Sequence, residues 1–246
     1  MHTITSEAAP AAAPHPNTRL DAFVDAAFAF SVTLLVISAD RIPDSVDSLL
    51  LALKALPSFA ASFAMVAVFW HAHVSWSRRY PLQSTPAVLL SLLLVFLVLV
   101  YVYPLRLLFG TFFAWATGGW LPMPLREFAP GDVVSMYIVY GVAFSSMSAC
   151  MAGLYAHAWR RRQALGLKAD DAAAAAGDMA TYLYLVLVGL LSMLVAALLP
   201  ARATPWQMAL PGFLYFVLTL TPVVDRRGRR WAYRRLRADE APGKSG

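Results

Sequence analysis

The sequence predicts an all-α, polytopic membrane protein with six transmembrane helices per subunit, and three observations carry that prediction. Of 246 residues, 59% are hydrophobic and only 14% charged, with a mean hydropathy of +0.60; soluble domains carry about 25% charged residues. Six apolar stretches come close to or exceed the roughly 20 residues that a helix needs to cross the hydrocarbon core. The lysines and arginines gather on one side of the alternating layout that these stretches define.

The first eighteen residues are rich in alanine and proline and lack a basic segment ahead of an apolar one. They read as a disordered cytoplasmic tail rather than a signal peptide, and the histidines within it, His2 and His15, have no pattern that points to a ligand. The membrane domain is placed at residues 19–225, followed by a basic cytoplasmic tail at 226–246.

The first span runs from about Leu20 to Ser38 and is followed by the acidic loop 39–47. The second is expected over Ser48 to Ser77, with Pro57 kinking it and Lys54 snorkelling outward. Pro86 opens the third, which is expected to end near Phe109. The connector from Gly110 to Asp132 holds Trp115, Trp120 and several prolines, as an interfacial loop does.

The fourth span covers about Val133 to Trp159. Its small residues, among them Gly141, Ser145 and Gly153, permit close helix packing. After Arg160–Arg162, the alanine run 172–176 leads into a fifth span from about Met179 to Leu199. The sixth is expected from Trp206 to Val224.

Arg19, Arg78, Arg79, Arg160–Arg162, Lys168 and the C-terminal arginines fall on one side. Arg41, Lys54, Arg106, Arg126 and Arg202 fall on the other. By the positive-inside rule both termini are cytoplasmic, in the inner (plasma) membrane, and six spans satisfy that parity. On such a face the basic tail is suited to anionic lipid headgroups rather than nucleic acid. Trp231 and Tyr233 among its arginines suit a segment lying at the interface.

Enzyme signatures and cofactor motifs are absent from the sequence. There is no HExxH and no phosphate-binding glycine loop, and Cys150 alone cannot form an intramolecular disulfide or a cysteine metal site. The three glutamates, Glu7, Glu127 and Glu240, lie outside the spans. His71 and His73, two residues apart on a helix, point to different sides and make a poor metal pair. No metal or cofactor is expected.

The first span carries a carboxylate, Asp25, where insertion costs about 2.5–3.5 kcal/mol, so it is expected to face a protein partner or water. Phe23, Ala27, Phe30, Leu34 and Ile37 form one apolar stripe at helical spacing, with Thr33 on its edge and Asp21 and Asp25 on the opposite side. Depth supplies candidate partners. Asp25 above Arg19, and His73 above Arg78 on the antiparallel second span, both lie about 8–9 Å from their basic markers. Trp70 lies one turn further along the second span, on the side of His73. Indole and imidazole N–H groups are donors that a buried carboxylate needs, so Asp25, Trp70 and His73 are expected to form one cluster.

Arg19-x-x-x-Phe23-Val24-Asp25, followed by an apolar run, resembles the Arg-x-x-x-Phe-Ser-Asp signature of bacterial relatives of the endolysosomal potassium channel. Phe69-Trp70-His71-Ala72-His73 is similar to that family's Trp-x-x-His. The resemblance covers the six-span layout and these two motifs. It implies a homotetramer around a pore lined by the first helix, passing K⁺ passively, with H⁺ as a second candidate permeant, and with no enzymatic activity. It places the constriction at Phe30, Thr33, Leu34 and Ile37, and a structural polar network at Arg19, Asp25, Trp70 and His73. Two positions depart from the pattern: Val24 replaces the serine, and Phe30 is bulkier than the usual aliphatic residue. The alternative is a proton-coupled secondary transporter using Asp25 and His73. Against it stands the lack of an internal repeat or an evident mid-membrane helix break.

Overall fold

The computed structural model describes residues 18–37, 44–124, 130–200 and 203–240. The expected N-terminal tail, residues 241–246 and three of the orientation markers (Arg41, Arg126, Arg202) lie outside the described residues. Among those described there is no strand. The elements are α1 (Thr18–Ile37), α2 (Val46–Lys54), α3 (Leu56–Arg79), α4 (Thr85–Ala116), α5 (Pro130–Arg160), α6 (Ala169–Ala197), α7 (Pro205–Phe213), a 3₁₀ segment (Leu214–Leu220) and α8 (Thr221–Glu240). Among the described residues, six stretches are long and apolar enough to cross a membrane: Arg19–Ile37, Leu56–Arg79, Thr85–Ala116, Gly131–Arg160, Ala169–Ala197 and Trp206–Asp239.

The second span is shorter than expected. Pro57 does not kink a continuous helix but sits in the first turn of α3, where a missing N–H costs nothing. The preceding residues form the separate helix α2, capped reciprocally by Ser45 and Ser48. None of α2's residues is buried, and the Lys54 ammonium at its end stands 5.4 Å over the Trp120 ring.

The third span is longer than expected. α4 continues through Pro104 to Ala116, because backbone in hydrocarbon must keep its own hydrogen bonds, and Trp115 is helical rather than in a loop. The helix stops at Gly118 and Gly119, whose φ values of 61° and 86° are left-handed and suit glycine. The Tyr140 hydroxyl of α5 donates to the Pro104 carbonyl, tying the two helices at that level.

The fifth span begins ten residues before the expected Met179. Ala172 to Ala176 are all buried within α6, 2% exposed or less. Alanine is the strongest helix former, and five consecutive buried alanines need neighbours on every side. α5 and α8 flank α6, and α3 meets its first turns through Arg79 and Tyr80. Burial pushes the Tyr80 hydroxyl up to about 12.

α6 pairs antiparallel with the whole 205–240 segment. Ser192 Oγ donates to the Pro211 carbonyl at 2.9 Å, Tyr184 Oη to Val217 O at 2.8 Å, and Tyr233 Oη to Asp170 Oδ1 at 2.6 Å. The sixth span is therefore not one uniform helix. Pro211 lies inside α7 and a seven-residue 3₁₀ stretch follows, with hydroxyls from α6 bonding carbonyls on either side of the change. The interruption from Pro205 to Leu220 contains no ionisable side chain apart from Tyr215.

The core joins Val24 and Phe28 of α1, Phe69 and Trp76 of α3, Leu94 and Val98 of α4, and Met151 and Leu154 of α5. Between helices in lipid, close packing takes over from the hydrophobic effect as the cohesive force. The small residues expected to permit it do so: a Cβ added at Gly189 of α6 would stand 2.3 Å from Ser145 Oγ and 3.4 Å from Gly141 O of α5.

Candidate functional site

α1 has two distinct faces. Val24, Phe28, Ser31 and Leu35, spaced four, three and four apart, are buried against α3 and α4, at 0%, 3%, 1% and 0% exposure. Opposite them, Ala22, Ala26, Ala29, Thr33 and Val36 are exposed. Phe23, Phe30 and Ile37, seven apart, stand beside this line and are 54%, 55% and 65% exposed.

The four residues expected at the constriction are therefore distributed unevenly. Phe30, Thr33 and Ile37 lie on a face that the chain leaves uncovered, and Leu34 is half-buried at its margin. Thr33, expected at the edge of the apolar stripe, occupies the middle of this face because Ala26 and Ala29 beside it are exposed as well. Its hydroxyl donates to the Ala29 carbonyl at 3.2 Å, so the side chain satisfies itself within its own helix. The alanine line was not legible as a face from the phenylalanines alone, although its alternating four- and three-residue spacing is in the sequence.

On one flank of this face Asp25 meets α3. Trp70 Nε1 donates to Asp25 Oδ1 at 2.8 Å. The indole is a donor without acceptor capacity, so it suits a carboxylate and nothing in the pair competes for the proton. Arg19 lies at the start of α1 and is exposed.

His73 completes the layer differently from the expectation. It is buried, at 1% exposure, and its Nε2 pairs with Ser91 Oγ of α4 at 2.9 Å rather than with Asp25. Its ring also lies 5.7 Å from the Trp76 ring. The two motif residues of α3 thus face two different helices, Trp70 towards α1 and His73 towards α4. Ser91 was missed by sequence reasoning. The available signal was that it is the one polar side chain between Ala87 and Val100 of a charge-free span.

His71, the neighbour of Trp70, is exposed and close to Ser75 Oγ at 3.4 Å. Among the described residues no group of three or more His, Cys, Asp or Glu side chains is arranged to hold a metal ion.

A family model described as the endosomal/lysosomal potassium channel TMEM175 matches residues 19–104, which include Arg19, Asp25, Trp70, His73 and Ser91. The chain is 28% identical over 233 residues to a protein named "Potassium channel" from Marivirga tractuosa, covering 91% of this chain and 92% of that one. It also resembles a crystal structure of a variant of the potassium channel MtTMEM175 in complex with a nanobody–MBP fusion protein. There the TM-score is 0.73 with 25% identity, covering 92% of this chain and 97% of that chain.

Proposed function

From the match of residues 19–104 to the TMEM175 endosomal/lysosomal potassium channel family model and the 28% identity to a named potassium channel, we propose that this chain is a potassium-permeable channel. K⁺ passes down its gradient along the uncovered face of α1, between four copies of the chain arranged around a central axis. Phe30, Thr33, Leu34 and Ile37 form the constriction. Arg19, Asp25, Trp70 and His73 belong to the polar layer that holds α1 in its rotation.

The observation that carries this reading is the exposure of Phe30, Thr33 and Ile37 on a face that the protomer leaves bare, beside a carboxylate held by an indole of the next helix. A constriction of apolar side chains presents few oxygen ligands, so it favours the ion that loses water more cheaply. That ion is K⁺ rather than Na⁺. H⁺ is a second candidate permeant through the same path.

The carrier reading is less well supported. A proton-binding pair of Asp25 and His73 would need the two side chains to share a proton, and each is engaged elsewhere, with Trp70 and Ser91. The partners on the channel reading are K⁺, further copies of the chain, and anionic lipid headgroups at the basic C-terminal segment. The termini lie on the cytoplasmic side.

The test is cation flux from K⁺-loaded liposomes containing the wild type, Phe30→Ala or Asp25→Ala. Wild-type flux of K⁺ above Na⁺, altered in rate or selectivity by Phe30→Ala and lost with Asp25→Ala, supports the reading. A folded wild-type protein that passes no monovalent cation would falsify it.

A further inference from the structure

The C-terminal basic segment is held as a rigid element of the bundle. α8 packs its Asp225, Gly228, Arg229, Ala232 and Leu236 face towards α6, and Ala232 is fully buried. A Cβ added at Gly228 would lie 2.9 Å from the Ala176 carbonyl, so the helices touch backbone to backbone. Arg229 is tied to Asp225 at 2.8 Å, Tyr233 to Asp170, and Arg162 of the α5–α6 turn to Asp239 at 2.8 Å. The Trp231 ring lies 5.5 Å from that of Trp159.

Opposite this packed face, at 100° per residue, Arg226, Arg227, Arg230, Arg234 and Arg237 share one exposed arc. No acidic residue lies among them from 226 to 238. Depth divides them. The apolar run Trp206 to Val224, with its 3₁₀ stretch, is about 32 Å long, close to the roughly 30 Å hydrocarbon core. Arg226, Arg227 and Arg230 then stand within about 9 Å beyond its end, at headgroup level, whereas Arg234 and Arg237 stand about 15–20 Å beyond it. α8 contacts α6 and the 3₁₀ segment, while α1 contacts α3 and α4. With the ion path on α1, this arginine face lies at the lipid-facing periphery.

We infer that Arg226, Arg227 and Arg230 form a fixed binding site for the phosphate of an anionic phospholipid in the leaflet on the chain's arginine-rich side. The inference rests on the headgroup contact proposed above and assigns it to three residues on a docked helix. Guanidinium groups suit it because each can donate two parallel N–H bonds to phosphate oxygens. Docking to α6 fixes the three on one face before lipid arrives, so little ordering remains to be done on binding.

The experiment is lipid retention by the purified full chain in nanodiscs containing phosphatidylglycerol and phosphatidylcholine, read by mass spectrometry after extraction. The wild type is expected to enrich phosphatidylglycerol. Substituting Arg226, Arg227 and Arg230 by Gln is expected to weaken retention by roughly a hundredfold, about fivefold for each surface arginine. The Arg234→Gln/Arg237→Gln variant is expected to keep most of it. Gly228→Leu, which retains every arginine but displaces α8, is also expected to lose enrichment, with folding checked by size exclusion.

Equal loss in the triple and the double variant means a diffuse field and overturns the site. Retention by Gly228→Leu overturns the fixed platform, and displacement by inorganic phosphate as readily as by lipid overturns the choice of lipid. Absence of enrichment in the wild type instead sinks the headgroup contact itself. None of these readouts depends on K⁺ flux.

Discussion

The indole N–H of Trp70 reaches Asp25 across 2.8 Å and joins α3 to α1 between residues 45 positions apart in the chain. This side-chain bond sits beside the uncovered face on which Phe30 and Thr33 stand. Rotation of α1 about its axis is therefore coupled to α3 at this point.

Removing that bond tests its role. Trp70→Phe and Asp25→Ala are each expected to lower the melting temperature of the solubilised protein. Because the pair is partly exposed in the protomer, the coupling energy from a double-mutant cycle is expected at about 1 kcal/mol, below the range for fully buried charged bonds. Additive single effects would show that the bond contributes no pairwise stability.

His73 and Ser91 provide a second, buried pair. Ser91→Ala leaves an imidazole nitrogen in the bundle interior without its partner, which costs about 1–3 kcal/mol. Ser91→Thr keeps the hydroxyl and is expected to keep most of the stability. Thermal unfolding of the three proteins, measured by tryptophan fluorescence, distinguishes a hydrogen bond from simple packing.

The α6–α8 contact has no room for a side chain at Gly228. Gly228→Ala places a methyl group 2.9 Å from the Ala176 carbonyl and 2.9 Å from the Gly177 Cα, both backbone atoms that cannot swing away. Overpacking of this kind costs about 1–3 kcal/mol. Faster tryptic cleavage within the arginines of α8, at unchanged flux, is the expected result.

Tyr80 gives a pH signature outside the spans. Its hydroxyl donates to the Asp171 carbonyl at 3.0 Å, and burial raises it from an ordinary value of 10.0 to about 12. Folding thus favours the protonated form. The associated stability is fully present below pH 10 and is lost as pH rises towards about 12. Tyr80→Phe is expected to be less stable at neutral pH and to show a shallower decline of melting temperature between these values.

Channel activity itself is tested at Phe30. Truncation to alanine widens the uncovered face where the largest side chain stands, so K⁺ flux is expected to rise and K⁺/Na⁺ discrimination to fall. Phe23→Ala, two helical turns nearer the start of α1 and similarly exposed, is expected to change both less. Equal effects at the two positions would argue against a constriction centred on Phe30.

Much of the layout was legible because its causes are local. Hydrocarbon thickness and the need to satisfy every backbone group act on each apolar run separately, so six spans and the fall of the charges between them follow from the order of residues. Counting residues from Arg19 and Arg78 set Asp25 at the depth of His73, with Trp70 one turn away, since rise per residue is constant. Element boundaries were less legible where a proline could either kink a helix or begin one, as at Pro57. The alanine run of α6 was equally ambiguous, because alanine is compatible with both a linker and a buried helix.

What only the tertiary structure decided is the rotation of each helix about its axis and the small residues through which neighbours touch. Depth alone could not tell that His73 turns to Ser91 while Trp70 turns to Asp25, nor that Thr33 lies at the centre of the bare face of α1. It could not tell that the arginine-rich segment continues the sixth span as a helix seated on Gly177 and the alanines of α6. Those outcomes depend on contacts between residues far apart in the chain, where a few tenths of an ångström at a glycine or a serine decide which faces meet.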